Sequence, residues 1–202
     1  MTEVYTGASV SLDGYIAGPG ESGFEHLFKW LGNGDVVVPT TDPELTMRMT
    51  EVNAAHWRGV VDMTGALVVG RKLFDFTNGW GGNHPMGRPV VVVTHQVPEG
   101  WPRDDAPFSF VTDGIEAAVE QAKALAGDKV VGVNGGTIAS QCLDAGLLDE
   151  IWVDLVPVLL GGGTSYFSEL RRAPVELEGP ISVVEGADVT HLRYRVRYPA
   201  RG

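Results

Sequence analysis

The sequence predicts a three-layer α/β fold with a mostly parallel central sheet, flanking helices and an antiparallel C-terminal hairpin. Three observations carry this. Helical patterns alternate with apolar strand runs through the first three quarters of the chain. From Lys129 to Gly163 the order is strand, glycine turn, helix, strand, which is a βαβ unit. From Val189 to Tyr198 the chain alternates strictly, and Gly186-Ala187-Asp188 joins it to Ile181–Glu185 as a hairpin.

Val4 to Leu12 is the first strand. Val4, Thr6, Ala8, Val10 and Leu12 share one face; Tyr5, Gly7, Ser9 and Ser11 share the other. The second face becomes small along its length, which suits either a flat ligand or a closely packed helix. Asp13-Gly14 turns the chain into a glycine-rich loop, Tyr15 to Gly20. Phe24, Leu27, Phe28 and Leu31 form a helical stripe ended by Asn33-Gly34, and Val36–Val38 is too short to assign. Thr41-Asp42-Pro43-Glu44 has the form of a helix start, followed by Leu45, Met49, Val52, His56 and Val60 at helical spacing. His56 on that stripe reads as a packed structural histidine.

Ala66–Val69, Pro89–Val93 and Phe108–Val111 are further strands, and Leu73–Phe76 opens a short helix. The loop Asn78 to Arg88, with Trp80, reads as an exposed aromatic segment. Thr112-Asp113 caps a helix through Ala126, stopped by Gly127. Val130–Val133, a helix Thr137–Ala145 stopped by Gly146, and Glu150–Leu160 make the βαβ unit. Tyr166–Leu170 suggests a short helical turn, and Val175–Leu177 a strand. In the last strand His191, Arg193, Arg195 and Arg197 are expected outward, as a solvated face or interface rim.

The chain of 202 residues is read as one domain, 1–202. A formal net charge of -11 argues against nucleic-acid or anionic-membrane binding. No apolar run is long enough to span a bilayer, the N-terminus lacks a signal-peptide pattern, and Cys142 is the single cysteine, so a cytoplasmic protein is expected. Cys142 sits mid-helix among apolar neighbours and reads as core. The histidines are scattered without ligand spacing, so no metal is expected. P-loop and nucleophile-elbow motifs are absent.

In a parallel sheet, ligands bind at the C-terminal strand ends. Three ends carry suitable groups: Gly70-Arg71-Lys72, Thr94-His95 and Asn134-Gly135-Gly136-Thr137. Gly135-Gly136 alone is as consistent with a tight turn as with a phosphate site. Three ends together point to a dinucleotide, its diphosphate on helix starts and a further phosphate on Arg71, Lys72, Thr94 and His95. The G-x-G-x-x-G fingerprint with an acidic ribose partner is absent, and the cations favour NADPH over NADH.

The segments Ser9–Ala17, Leu67–Lys72, Val90–Thr94 and Val133–Gly163, in this order, resemble the dihydrofolate reductase-like family. Within it they resemble stand-alone relatives of the bacterial riboflavin-biosynthesis (RibD) C-terminal reductase domain. The resemblance implies NADPH as hydride donor. It implies that Ser9, Ser11 and Ile16 face the nicotinamide, that Gly70, Arg71 and Lys72 meet phosphates, that Thr94 and His95 lie near the 2′-phosphate, and that Gly135, Gly136, Thr137 and Ile138 hold the diphosphate. It also implies a homodimer. The tryptophan-proline motif and helix carboxylate of true dihydrofolate reductases have no counterpart, which leaves Asp13, Glu25 and Glu51 as candidate carboxylates, with Asp13 the candidate catalytic group. The expected function is an NADPH-dependent reductase of a pterin-, flavin- or pyrimidine-like molecule, on the pattern of 5-amino-6-(5-phosphoribosylamino)uracil reductase. The alternatives are a true dihydrofolate reductase and a non-enzymatic nucleotide- or flavin-binding module.

Overall fold

Val90, Val91 and Val92 are all fully buried. A strand with both faces buried needs a layer on each side, and the parallel sheet supplies that arrangement. The structure, a computed structural model, describes residues 2–198. In chain order the elements are β1 (Val4–Ser11), β2 (Tyr15–Ala17), α1 (Phe24–Leu27), β3 (Val36–Pro39), β4 (Thr46–Met49), α2 (Glu51–Met63), β5 (Thr64–Gly70) and α3 (Arg71–Phe76). They continue as β6 (Val90–Val93), β7 (Phe108–Val111), α4 (Ile115–Ala126), β8 (Val130–Val133), α5 (Thr137–Ala145) and β9 (Glu150–Val156), then β10 (Thr164–Ser165), β11 (Leu177–Gly186) and β12 (Val189–Val196).

The main sheet has eight strands in the order β11-β12-β9-β1-β8-β5-β6-β7. From β9 to β7 all neighbours are parallel. The hairpin β11–β12 adds antiparallel strands beside β9. On one face α4 and α5 pack with Val68, Val91, Val131 and Val133. On the other, α2 and Trp30 cover one half of the sheet and α3 covers Leu67, Val69, Val90 and Val92. The alternation read in β1 holds: Val4 and Val10 join the first core, while Tyr5 stacks on Trp152 on the opposite face. That opposite face is not left open. The Trp30 indole donates to Ser9 Oγ at 3.0 Å, so the closely packed alternative holds there.

Several local expectations are corrected. The helix expected from Thr41 begins only at Glu51. Thr46–Met49 instead pairs with Val36–Pro39 as a two-stranded ladder, and Thr50 caps α2 by accepting from Asn53 N at 3.4 Å. The stripe therefore shifts: Asn53 and Ala54 are buried and Val52 is exposed. At α4 the N-cap is Gly114, with no side-chain cap from Thr112 or Asp113. Tyr166 forms no helical turn, because its N–H donates to Gly14 O and its carbonyl accepts from Gly136 N. The two strand candidates around residue 180 are one strand, β11, with a register shift between Glu178 and Ser182. Trp80 packs against His84 and Phe108 instead of standing free. Burial pushes His84 down to about 4.

His191 is 2 % exposed, although its alternation with Arg193 marked it as outward. The sheet has cover on both faces at this point. Trp30 meets the His191 ring edge-on, and Arg193 bonds Glu150 Oε2 at 2.6 Å while lying over Trp152. Arg195 is the more exposed of the two.

Cys142 is fully buried in α5, and burial pushes its thiol up to about 12. The thiolate is the reactive form. We therefore expect aromatic disulfide reagents to leave the native protein unmodified and to titrate one thiol per chain on unfolding. Rapid modification of the native protein would contradict this packing.

Candidate cofactor site at the strand ends

The ends of β5, β6 and β8 lie side by side, as strand order requires. Asn134, directly after β8, fastens them. Its Oδ1 accepts from Gly70 N at 3.0 Å, its Nδ2 donates to Gly135 O at 2.9 Å, and its own N–H donates to Val68 O. β1 and β8 pair only as far as Thr6–Val133. Beyond that β1 runs on to Ser11 beside β9 while β8 ends in the glycine turn, so the two strands part.

Side chains approach closely at two of these glycines. A Cβ on Gly70 would lie 2.9 Å from Ile138 Cγ1, and one on Gly135 would lie 3.0 Å from both Ile16 Cδ1 and Tyr166 Cδ2. Gly136 starts α5 at φ 76 with no side-chain cap. Helix-start N–H groups have no intrahelical acceptors, so the start of α5 retains donors for an anion.

Arg71 reaches from the end of β5 to the end of β6. Its Nε is held by Asp75 at 2.7 and 2.9 Å, and its Nη1 donates to Gln96 O at 2.8 Å and to Thr94 Oγ1 at 3.4 Å. Lys72 pairs with Glu21 of the glycine-rich loop. Thr94 is buried, whereas His95 and Thr137 are exposed at the margin. The fold thus gathers Ile16, Gly70, Arg71, Thr94, Gly135, Gly136 and Ile138 into one neighbourhood. Ser9 is apart from it by side chain, held under Trp30. Lys72, tied to Glu21, lies outside this set; the remaining donors, a guanidinium, a hydroxyl and uncapped helix N–H groups, fit a phosphorylated dinucleotide.

Ser11 and Asp13 serve the adjoining turns. Ser11 Oγ donates to Asp13 Oδ1 at 2.6 Å and accepts from Tyr15 N at 2.9 Å. Asp13 also accepts from Leu160 N at 3.1 Å and Gly161 N at 2.7 Å. These bonds, that from Ser11 first, hold its carboxyl below the usual carboxylate range. A depressed folded pKa gives stability that is present above the unfolded value, about 4, and lost as pH falls through the folded one. We expect Asp13→Asn to lower the melting temperature at neutral pH, since an amide cannot accept all three bonds. The gap from the wild type should close below about pH 4. A gap independent of pH would contradict the bracing role.

A second cluster lies under α2. His56, Asp154 and His191, from a helix and two strands, place ligand atoms within 4.8 Å of one another. No motif spacing could show this, since β9 and β12 meet only through antiparallel pairing, with Asp154 opposite His191. His191 Nδ1 is 2.7 Å and His56 Nε2 3.4 Å from Asp154 Oδ1. Burial alone would raise the Asp154 carboxyl, but the bonds to His191 and His56 outweigh it and hold it low. His56 packs, as its stripe suggested, with its ring stacked on His191 and its Nε2 turned toward Asp154.

The mostly parallel sheet, covered by helices on both faces and closed by an antiparallel hairpin, is a dihydrofolate reductase-like α/β fold. A dihydrofolate reductase from Enterococcus faecalis, complexed with NADP(H) and RAB-propyl, shares this fold at a TM-score of 0.54 and 15% identity, with 97% of each chain covered. The chain belongs to the RibD C-terminal domain family, whose model matches residues 3–179. A protein from Shewanella sp. PV-4 provisionally assigned to riboflavin biosynthesis superposes with a TM-score of 0.68 at 22% identity, covering 98% of this chain and 100% of its own. The Thermotoga maritima diaminohydroxyphosphoribosylaminopyrimidine deaminase/5-amino-6-(5-phosphoribosylamino)uracil reductase gives 0.60 at 15% identity. Acinetobacter baumannii RibD gives 0.60 at 14% identity. This chain covers 57% and 58% of those two proteins. No curated protein matches the sequence. Among the described residues, no helix is long and apolar enough to cross a membrane.

Proposed function

We propose that this protein is an NADPH-dependent reductase of a small heterocycle, of the class of 5-amino-6-(5-phosphoribosylamino)uracil. The observation that carries the reading is the meeting of three strand ends at Gly70-Arg71, Thr94 and Gly135-Gly136, latched by Asn134. Family membership supports the reductase class. Bound NADPH would supply a hydride, and the substrate would take up one proton with it. The chain's own part is binding and orientation. The uncapped start of α5 would receive the diphosphate, Arg71 and Thr94 a further phosphate, and the gap beyond Thr6 would receive the nicotinamide beside Ile16.

The test is turnover. NADPH should be oxidised in the presence of 5-amino-6-(5-phosphoribosylamino)uracil and not in the presence of dihydrofolate. Turnover of dihydrofolate would favour a true dihydrofolate reductase, and tight NADPH binding without turnover of either compound would favour a binding module.

The reading includes a homodimer. Leu177, Ile181 and Val183 are exposed on β11, the edge strand of the sheet, and offer apolar surface for a second copy. Light scattering at the mass of one chain would remove this part of the proposal.

A further inference from the structure

The cluster under α2 brings two imidazoles and a carboxylate together, with ligand atoms within 4.8 Å of one another. Asn53 is fully buried, and its Nδ2 donates to two backbone carbonyls, Trp30 O at 3.3 Å and Ala187 O at 3.1 Å. Its Oδ1 therefore faces His191 Nε2, 3.4 Å away, and can only accept. This network assigns a proton to His191 Nε2. His191 Nδ1 then faces Asp154 Oδ1 at 2.7 Å, a separation that a proton or a cation between them can bridge. His56 brings another ring nitrogen to 3.4 Å from the same oxygen, its ring stacked on His191 at 3.6 Å and 12°. A metal ion shared by the three groups would join all of them at once, where a proton on His191 Nδ1 joins only one pair.

We propose that His56 Nε2, Asp154 and His191 Nδ1 form a binding site for a divalent transition metal of the zinc type. Two imidazoles and one carboxylate suit zinc, cobalt or nickel better than calcium or magnesium, which prefer all-oxygen sites. A tetrahedral ion about 2.1 Å from each donor sets the donors roughly 3.4 Å apart. The His56–Asp154 pair already has that separation, the His191–Asp154 pair needs to open by less than about 1 Å, and the His56 ring, now parallel to that of His191, has to turn out of the stack so that both ring nitrogens point at one ion. Asn53 takes the place of the outer partner that fixes the tautomer of a metal-bound histidine. The fourth position faces a cavity of about 180 Å³ lined by His56, His191, Val60, Met63, Trp152 and Arg193. That cavity has room for water or a small ligand on the metal. The site does not depend on the reductase reading.

The experiment uses the full chain freed of metal by chelator dialysis. Titration with Zn(II) by calorimetry should give one site per chain, and Co(II) should give the visible absorption of a low-symmetry nitrogen–oxygen site. His56→Gln, at a half-buried position, should fold as judged by far-UV circular dichroism and weaken Zn(II) at least tenfold. Asp154→Asn should do the same or more. His26→Gln, an exposed histidine of α1, should leave the affinity unchanged. Absence of a saturable site overturns the proposal, as does an affinity that His56→Gln and Asp154→Asn do not change. So does a nitrogen-15 spectrum showing both ring nitrogens of His191 protonated in the presence of Zn(II), because a buried imidazolium–carboxylate pair would then account for the contact.

Discussion

Replacing Gly163 by alanine will destabilise the protein by about 2–4 kcal/mol, a large effect for one methyl group. Gly163 has φ 119, and a Cβ there would lie 2.1 Å from Ala17 O and 2.6 Å from Gly18 C. Those are backbone atoms of β2 and the loop after it, so no side chain can swing aside. Relief requires β2 to leave β10, breaking the Thr164–Ala17 pairing. β2 also carries Ile16, which packs over Gly135. Cofactor binding should therefore weaken together with stability. Gly161 is the control. Its φ is 74, but a Cβ there meets nothing within 4 Å, so Gly161→Ala should cost only about 1 kcal/mol. Urea unfolding of the two variants decides the matter, and equal midpoints would contradict the close approach at Gly163.

Arg71→Gln should weaken NADPH binding about 10–100-fold, the worth of one charge-assisted contact to a phosphate. Stability should change little, because the Arg71–Asp75 pair is part-exposed and such pairs contribute little. The guanidinium is already positioned: Asp75 holds Nε, and the Gln96 carbonyl and Thr94 hydroxyl hold Nη1. Calorimetric titration of both proteins with NADPH measures the loss. An unchanged dissociation constant would place the phosphates away from the β5–β6 ends.

The strands of the sheet centre were legible because strands buried on both faces read as short apolar runs, and glycines marked where each ended. Val90–Val93 and Val130–Val133 are such runs, and Gly70 and Gly135-Gly136 such ends. The convergence of those ends followed from parallel strand order. Long-range pairing was not legible. Thr46–Met49 has helical spacing, yet it is a strand because Val36–Pro39 is there to pair with it. Tyr166 lacks a turn because its backbone is bonded to Gly14 and Gly136. His191 looked outward because alternation gives a residue's face without saying what covers that face. For the same reason the cluster with His56 and Asp154 had no sequence signal: 98 and 37 residues separate its members along the chain, counting 154 − 56 and 191 − 154.

The role of Gly161–Gly163 follows from the same contacts. Asp13 accepts from the start of the triplet, and Gly163 fits under Ala17 at its end. The segment locks the β1–β2 turn onto the loop after β9, and so holds Ile16 against Gly135.

The most direct test of the account is titration of the nucleotide-free protein with NADPH and, separately, NADH. The account predicts one saturable NADPH site per chain, with a dissociation constant of about micromolar order and NADH at least roughly tenfold weaker. No saturable binding of either nucleotide at roughly millimolar concentration would contradict it.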